Sequence, residues 1–452
     1  MKIIVVGDGK VGRSIVEHIC KEGHEVTIID KKKENIEEIV NQYDVLGICG
    51  NGASYDILKE AGADKADLVV ATTTSDETNI LSCLISEKMG AKASVARVRS
   101  YEYNNQLKII KNDLGIDMPI NPEKEAANEI TKILNFPEAI KVGSFGKGHV
   151  DLVELFIPEN NPLVNESLLS IYQKYQIKVL VCAVERGNEV FIPTGSFVIK
   201  PKDKIYVTAN SRATLRKFID KVSLVEKRLK NVLIIGGGKI SAYLGKELSK
   251  GKFNVHIIEK DKNRCLELSE ILPNATIIYG DGTDQDLLQE EGINSVDALV
   301  ALTNRDEENI IVSMYANQCG VQKIITKVNK TSLVGLMSNI DLASVVSTKE
   351  VTASKILSYI RAINNARGSN VRTLYKLVNN KVEALEFKVK ENKNLINIPL
   401  RDLKLKENIL IAAIIHDGEV IIPSGNDVIS VDDNVIVVTT NQYLKDLNEI
   451  LE

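Results

Sequence analysis

The sequence predicts an α/β protein: two doubly wound parallel sheets, each followed by a small α+β domain. Three observations predict it. First, a unit recurs at a nearly constant offset. Gly7-Asp8-Gly9-Lys10-Val11-Gly12 returns as Gly236-Gly237-Gly238-Lys239-Ile240-Ser241, and Asp30 as Glu259, each 229 positions on. Gly50-Asn51-Gly52 returns as Gly280-Asp281-Gly282, Asp76-Glu77-Thr78-Asn79 as Asp306-Glu307-Glu308-Asn309, and Ile192-Pro193-Thr194-Gly195 as Ile422-Pro423-Ser424-Gly425, each 230 positions on. An offset held across half a chain marks a duplicated unit. Second, short β-branched runs alternate with helix-period segments, the pattern of parallel βαβ units. Third, the texture changes after Asn135 to alternating strands with few helices.

Taken in order, Lys2 to Val6 is an apolar strand that runs into glycines. Val11, Ile15, Val16, Ile19 and Cys20 trace a helix face to about Glu22, where Gly23 stops it. Glu25 to Asp30 is a strand ending in an acid, Lys33 to Asn41 a helix, Val45 to Cys49 a strand. Gly50 to Ser54 is a loop into a helix ending near Gly62. Leu68 to Thr72 is the fourth strand, Glu77 to Met89 a helix, Ser94 to Val98 the fifth strand. Continuous apolar strands such as Leu68-Val69-Val70-Ala71 suit a sheet covered on both faces. Asn121-Pro122 opens a helix to about Asn135, with Asn as cap and Pro in the first turn. The small domain follows: a strand over Val150 to Ile157, a helix over Glu166 to Tyr175, a strand over Lys178 to Val184, a hairpin turn at Arg186-Gly187-Asn188, short strands at Phe191-Ile192 and Ile205 to Val207, and a helix over Arg212 to Lys221. Charged Glu226 to Lys230 is a junction, and the pattern restarts. Polar Asn364 to Asn370 is the second half's junction. The expected domains are 1–120, 139–222, 229–346 and 369–452, with crossover helices at 121–138 and 347–368.

Composition excludes several classes. The 452 residues are 44% hydrophobic and 26% charged, an ordinary globular balance. A net charge of −4 argues against nonspecific nucleic-acid binding, which needs a basic face. No apolar run reaches the ~18 residues of a spanning helix; Ile409 to Ile415 is strand-sized. The chain enters a strand at Lys2, so no signal peptide is expected. The cysteines (20, 49, 83, 182, 265, 319) form no CxxC pair and read as small buried hydrophobes in a reducing compartment. The histidines (18, 24, 149, 256, 416) form no metal-site spacing.

The chemistry concentrates in the glycine loops. GxGxxG alone is a weak signal. Here it follows a strand, opens a helix, and has an acid 18 residues past its last glycine, which makes a dinucleotide fingerprint. Gly7 permits the tight turn. Gly9 lets backbone approach a pyrophosphate at the helix N-terminus, and Gly12 allows close helix–strand packing. Asp8, Lys10 and Val11 complete that loop. Asp30 would accept from the adenosine ribose and repel a 2′-phosphate, favouring NAD(H) over NADP(H); ATP and ADP share that ribose. In the second copy, Gly236, Gly237, Gly238, Lys239 and Ile240 form the loop, Glu259 is the acid, and Ser241 brings a Cβ and a hydroxyl to a crowded contact. Unequal nucleotide binding by the halves is therefore expected. Thr73 and Thr74, ending strand four, would face adenosine. Arg97, ending strand five, would reach a phosphate, and its counterpart is Lys327. Asn51 closes strand three at the same sheet edge. Hydride transfer to a carbonyl usually needs a His, Lys or Tyr acid at a substrate pocket. No such residue is duplicated, and His149 and His416 read as incidental surface residues. The competing class is an NAD-dependent oxidoreductase whose small domains act as substrate lids.

Together Gly7 to Gly12, Asp30, Gly50-Asn51-Gly52, Ser75 to Asn79, Ala96-Arg97-Val98-Arg99 and Asn121-Pro122-Glu123 resemble the RCK (KTN) domains that regulate potassium conductance. The layout is similar to a duplicated RCK-N and RCK-C pair. The resemblance implies Rossmann-like RCK-N domains, no catalytic activity, and binding of NAD(H), ATP or ADP at Gly7 to Val11, Asp30, Thr73, Thr74 and Arg97, and again at Gly236 to Ile240 and Glu259. It implies a cytoplasmic subunit, peripheral on the inner face of the membrane, docked on a potassium channel subunit of the TrkH/TrkG class and assembled as a homodimer or tetramer. The helix at Asn121-Pro122, and its counterpart after Ser347-Thr348-Lys349-Glu350, resembles the segment that crosses to a neighbouring subunit.

Overall fold

A computed structural model describes residues 1–452 apart from 101–102, 104–105, 137–138, 146–148, 188, 223–228, 252, 331, 334–343, 367–370, 378–380, 391–393, 442–443 and 445. The expected turn residue Asn188, and residues 226–228 and 367–370 of the two junctions, lie outside the described residues.

The first lobe runs β1 (Lys2–Val6), α1 (Lys10–Lys21), β2 (Glu25–Asp30), α2 (Lys33–Gln42), β3 (Leu46–Cys49), α3 (Tyr55–Glu60), β4 (Leu68–Ala71), α4 (Asp76–Met89), β5 (Ser94–Arg97), α5 (Leu107–Asn112), β6 (Met118–Ile120) and α6 (Pro122–Asn135). Its strands pair in parallel in the order β3-β2-β1-β4-β5-β6, the doubly wound order whose reversal lies between β1 and β4. β4 is buried along its whole length, as its unbroken apolar run requires. β6 was not anticipated. It has three residues, one of them proline, and is held by pairing with β5 alone.

The second lobe repeats this: β12 (Asn231–Ile235), α9 (Lys239–Leu248), β13 (Asn254–Glu259), α10 (Lys262–Ile271), β14 (Thr276–Tyr279), α11 (Gln285–Glu290), β15 (Ala298–Ala301), α12 (Asp306–Gln318), β16 (Lys323–Lys327), β17 (Ser344–Val346) and α13 (Thr348–Ala366), ordered β14-β13-β12-β15-β16-β17. Met1–Thr131 and Lys230–Ile360 form one compact unit. The two lobes touch within it. Lys355 donates to Glu125 at 2.8 Å, Asn121 to the Tyr243 hydroxyl at 3.1 Å, and Ser14 to Glu350 at 3.3 Å.

A second unit holds the remaining sheets. The first comprises β7 (Ala139–Phe145), β8 (Val150–Phe156), β9 (Val179–Arg186), β10 (Glu189–Phe191) and β11 (Lys204–Ala209), with α7 (Leu168–Tyr175) and α8 (Arg212–Lys221). Its order is β10-β9-β11-β8-β7, all antiparallel. The other comprises β18 (Val371–Leu377), β19 (Val382–Lys388), β20 (Ile409–His416), β21 (Glu419–Ile421) and β22 (Asn434–Thr439). α7 starts two residues later than its apolar pattern suggests, because the Ser167 hydroxyl accepts from the Ser170 amide and caps it there. Both faces of β8 are buried. Val153 and Leu155 pack on the helices of their own domain, while Val150 and Leu152 join a core shared with Val382, Ala384, Ile436 and Val438 of the duplicate sheet. The two small domains thus cover each other inside one chain.

Candidate functional site

Each lobe turns from its first strand into its first helix through a glycine loop. Gly7 has φ +100° and Gly236 φ +95°, a left-handed conformation that glycine alone adopts cheaply. A Cβ on Gly7 would lie 2.9 Å from the Thr73 amide nitrogen, so no side chain fits there. A Cβ on Gly12 would lie 2.0 Å from the Gly7 carbonyl oxygen. The second lobe places Ser241 at that position, and its hydroxyl donates to the Gly236 carbonyl. The expected crowding is absorbed as a hydrogen bond that ties the loop to the helix. Gly9 and Gly238 differ from these. Both have ordinary extended φ/ψ, and a Cβ on either meets nothing within 4 Å. Nothing in the protein requires glycine there. Both are helix N-caps without a side-chain hydrogen bond, so the first amides of α1 and α9 have no capping acceptor.

The acids end the second strands in matching geometry. Asp30 accepts from the Asp8 amide at 2.8 Å and from the Lys32 amide at 2.9 Å. Glu259 accepts from the Gly237 amide at 2.6 Å and from the Asp261 amide at 2.8 Å. Backbone amides therefore aim both carboxylates. The Asp8 side chain has a different task. It is buried and bound to Arg13 at 2.6 Å. Burial raises its pKa, and the Arg13 pairing opposes that. Asn51 is exposed, and its side chain accepts from Ala53 in its own turn.

The fourth and fifth strand ends are clipped together by the duplicated acid and asparagine. Asn79 accepts from the Thr73 amide at 2.8 Å and donates to the Arg97 carbonyl at 2.9 Å; Asp76 accepts from the amides of Arg99 and Ser100 at 2.8 and 2.6 Å. Asn309 and Asp306 make the same bonds to Thr303, Lys327, Asn329 and Lys330. The Thr73 hydroxyl serves this clip, bonding Asn79 at 2.7 Å, while Thr74 is exposed.

The clip delivers Arg97 and Lys327 to one cavity of about 580 Å³ lined by both lobes. Lys10 and Val11 of the first glycine loop line it, as do Gly238, Lys239 and Ile240 of the second. Lys327 is 7% exposed, and burial lowers its pKa against the opposing charges of Asp306 and Glu123. Burial also lowers that of Arg97, whose Nε and Nη2 are enclosed without a protein acceptor. The cavity is therefore rich in cations, and the Arg97 guanidinium among them has two enclosed nitrogens without a protein acceptor. A smaller recess joins Thr74, Ser75, Asp76, Glu77, Arg99 and Ser100 of the first lobe to Lys239 of the second. Each lobe's loop lysine thus stands among the other lobe's residues, since Lys10 shares the large cavity with Leu302 and Asn304. Of the expected residues, Lys10, Val11, Arg97, Gly238, Lys239 and Ile240 meet there; Gly7, Asp8, Gly9, Asp30, Asn51, Thr73, Thr74, Gly236, Gly237 and Glu259 do not line it. Arg264, Lys349, Arg99 and Glu123 also line it. They were not singled out individually, because their signal lies in the fold: Glu123 and Lys349 sit just after the sheet, at the starts of α6 and α13.

The TrkA-N domain family matches residues 3–122 and 232–348, and the TrkA-C domain family matches residues 152–221 and 384–452. The chain belongs to the TrkA family. The Trk system potassium uptake protein TrkA of Vibrio alginolyticus is 31% identical over 457 aligned residues, covering 100% of this chain and 99% of that protein. TrkA homolog 1 of Methanosarcina mazei is 32% identical, covering 97% of each. Among solved structures, the GsuK channel bound to NAD superposes with a TM-score of 0.62 at 15% identity, covering 98% of this chain and 77% of that one. It shares the repeated RCK fold. Among the described residues, no helix is long and apolar enough to cross a membrane.

Proposed function

We propose that this chain is the nucleotide-sensing regulatory subunit of a Trk-type potassium uptake system, docked at the cytoplasmic face on a membrane subunit of the TrkH/TrkG class. Its domains are the two RCK-N lobes at 1–120 and 229–346 and the two RCK-C domains at 139–222 and 369–452, joined by helices at 121–138 and 347–368. ATP, ADP or NAD(H) binds with adenosine ribose at Asp30 or Glu259 and phosphates at the glycine loops, and leaves unaltered. Homo-oligomers of the chain form the working assembly. The observation that carries this reading is the pair of glycines, Gly9 and Gly238, kept where the protein itself leaves open space, beside a cation-lined cavity in which the Arg97 guanidinium lacks an acceptor. TrkA relatives match the whole chain, which supports the assignment to potassium uptake.

Phosphate oxygens would accept from the free first-turn amides and from Arg97, Lys327 and the two loop lysines, adding charge-assisted bonds of about 1.5–3 kcal/mol each. Because both lobes line the cavity, an anion there interacts differently with closed and parted lobes. That difference is what shifts a gating equilibrium, with couplings of about 1–3 kcal/mol. The test is calorimetry of the full chain with each nucleotide, followed by potassium flux through the reconstituted pair. Micromolar binding without turnover, and flux that tracks occupancy, are expected. Absence of binding by all four nucleotides would sink the reading.

A further inference from the structure

The duplication supplies its own control in the small domains. In the first, Arg186 ends β9 and grips Asp203 with two bonds, Nε to Oδ1 at 2.8 Å and Nη2 to Oδ2 at 2.7 Å. Nη2 also donates to the Val198 carbonyl at 2.9 Å, and the guanidinium lies 5.8 and 5.0 Å from the ring centres of Phe191 and Phe197. The Asp203 carboxylate is fully buried and accepts the Lys200 amide, closing the turn before β11. In the second domain the residues 230 positions on are His416 and Asp433. The His416 Nδ1 lies 2.6 Å from Oδ1 of Asp433, whose side chain is 3% exposed and accepts the Ser430 amide at 2.7 Å before β22. The residues replacing the two phenylalanines are Ile421 and Asp427, so no ring contact replaces the lost one. One turn is closed by a guanidinium that never titrates. The other is closed by an imidazole.

We propose that the His416–Asp433 pair makes the closing turn of the second small domain a sensor of alkalinisation, to which the Arg186–Asp203 turn of the first is indifferent. The charges that face His416 are mostly acidic. Asp417 lies 3.7 Å from Nε2, and Glu419 is its cross-strand partner. Next to Asp433, Asp432 is held by Lys388 of β19 at 2.6 Å. The bond to Asp433 first, then its charge and that of Asp417, raises the imidazole pKa above its ordinary value. The sign follows. A group whose folded pKa is raised contributes stability that is fully present below its unfolded pKa of about 6.5 and lost as pH rises through the folded value. Above that point Nδ1–H still donates, as a neutral donor, and the buried carboxylate loses its counter-charge.

The experiment is an NMR titration of the full chain labelled at histidine, with amide exchange measured alongside. His416 should titrate above the ordinary imidazole value of about 6.5, and Asp433→Asn should bring its midpoint down. Protection of the Ser430 amide, corrected for intrinsic exchange, should fall at least about threefold between pH 6.5 and 9, with no matching fall at Lys200. His416→Arg, which copies the first domain, should flatten the response even if Asp433→Asn fails to fold. An unmoved midpoint in Asp433→Asn, equal behaviour at Ser430 and Lys200, or an unchanged response in His416→Arg would overturn the proposal.

Discussion

At Gly9 and Gly238 the requirement for glycine separates cleanly from folding. Both backbones are in conformations any residue adopts, and an added methyl meets no protein atom within 4 Å. Gly9→Ala and Gly238→Ala should therefore leave the thermal stability of the free chain nearly unchanged, since glycine and alanine at an N-cap differ by less than ~1 kcal/mol. Each should cut nucleotide affinity at its own lobe more than about tenfold, the loss expected when one phosphate–amide contact of ~1.5–3 kcal/mol is blocked. Calorimetry beside a melting curve checks both halves of the statement. Gly12 behaves oppositely. Its Cβ would collide with the Gly7 carbonyl, so alanine there should destabilise the free lobe. The buried cations give the converse test. Lys327→Met removes a buried charge and should stabilise the ligand-free chain by on the order of 1 kcal/mol at neutral pH. Its lysine pKa is lowered in the fold, so the penalty is present below the folded value and fades as pH rises toward the ordinary lysine value of about 10.4. The gap between variant and parent melting temperatures should shrink accordingly, while nucleotide binding falls.

Single elements show which features were legible in the sequence. The parallel strands, the glycine loops and the acids Asp30 and Glu259 follow from local pattern, because a buried strand and a tight turn each leave a composition mark. β6 and β17 left none, being three-residue strands held by one neighbour each. Asp76 sits in the first turn of α4, and it anchors the backbone after β5. His416 reads as surface, since Asp433 is 17 residues away and only the β20–β22 pairing brings them together. The asparagine clip is the element-level feature with the largest consequence. Asn79 and Asn309 are fully buried, and each spans two strand ends. Asn79→Ala should destabilise the first lobe by about 2–3 kcal/mol, leaving buried backbone groups unpaired. Amide exchange should localise the loss to residues 72–76 and 97–100, with the second lobe unaffected, and Asn309→Ala should show the mirror result.

At the scale of the whole molecule, duplication in one chain makes the large cavity a joint product of both lobes. The cavity joins residues more than 200 positions apart, so no window of sequence displays it. Its electrostatics are likewise shared. Lys10 of the first lobe lowers the pKa of Lys327 in the second, and Glu123 of the first raises it. Lys239 belongs to the second loop but lines the recess built from Thr74, Ser75, Asp76, Glu77, Arg99 and Ser100. A variant there should therefore act across the lobes. With the second cleft blocked by Gly238→Ala, adding Lys239→Ala should still weaken nucleotide binding at the first, about tenfold for one lost charge-assisted bond. The effect should be larger for ATP than for NAD(H), because ATP carries more negative charge, and it should shrink at high salt, where exposed charges are screened. A Lys239→Ala change that leaves first-cleft affinity intact in that background would mean that the lobes bind independently, and that the cavity couples them in structure without coupling them in ligand affinity.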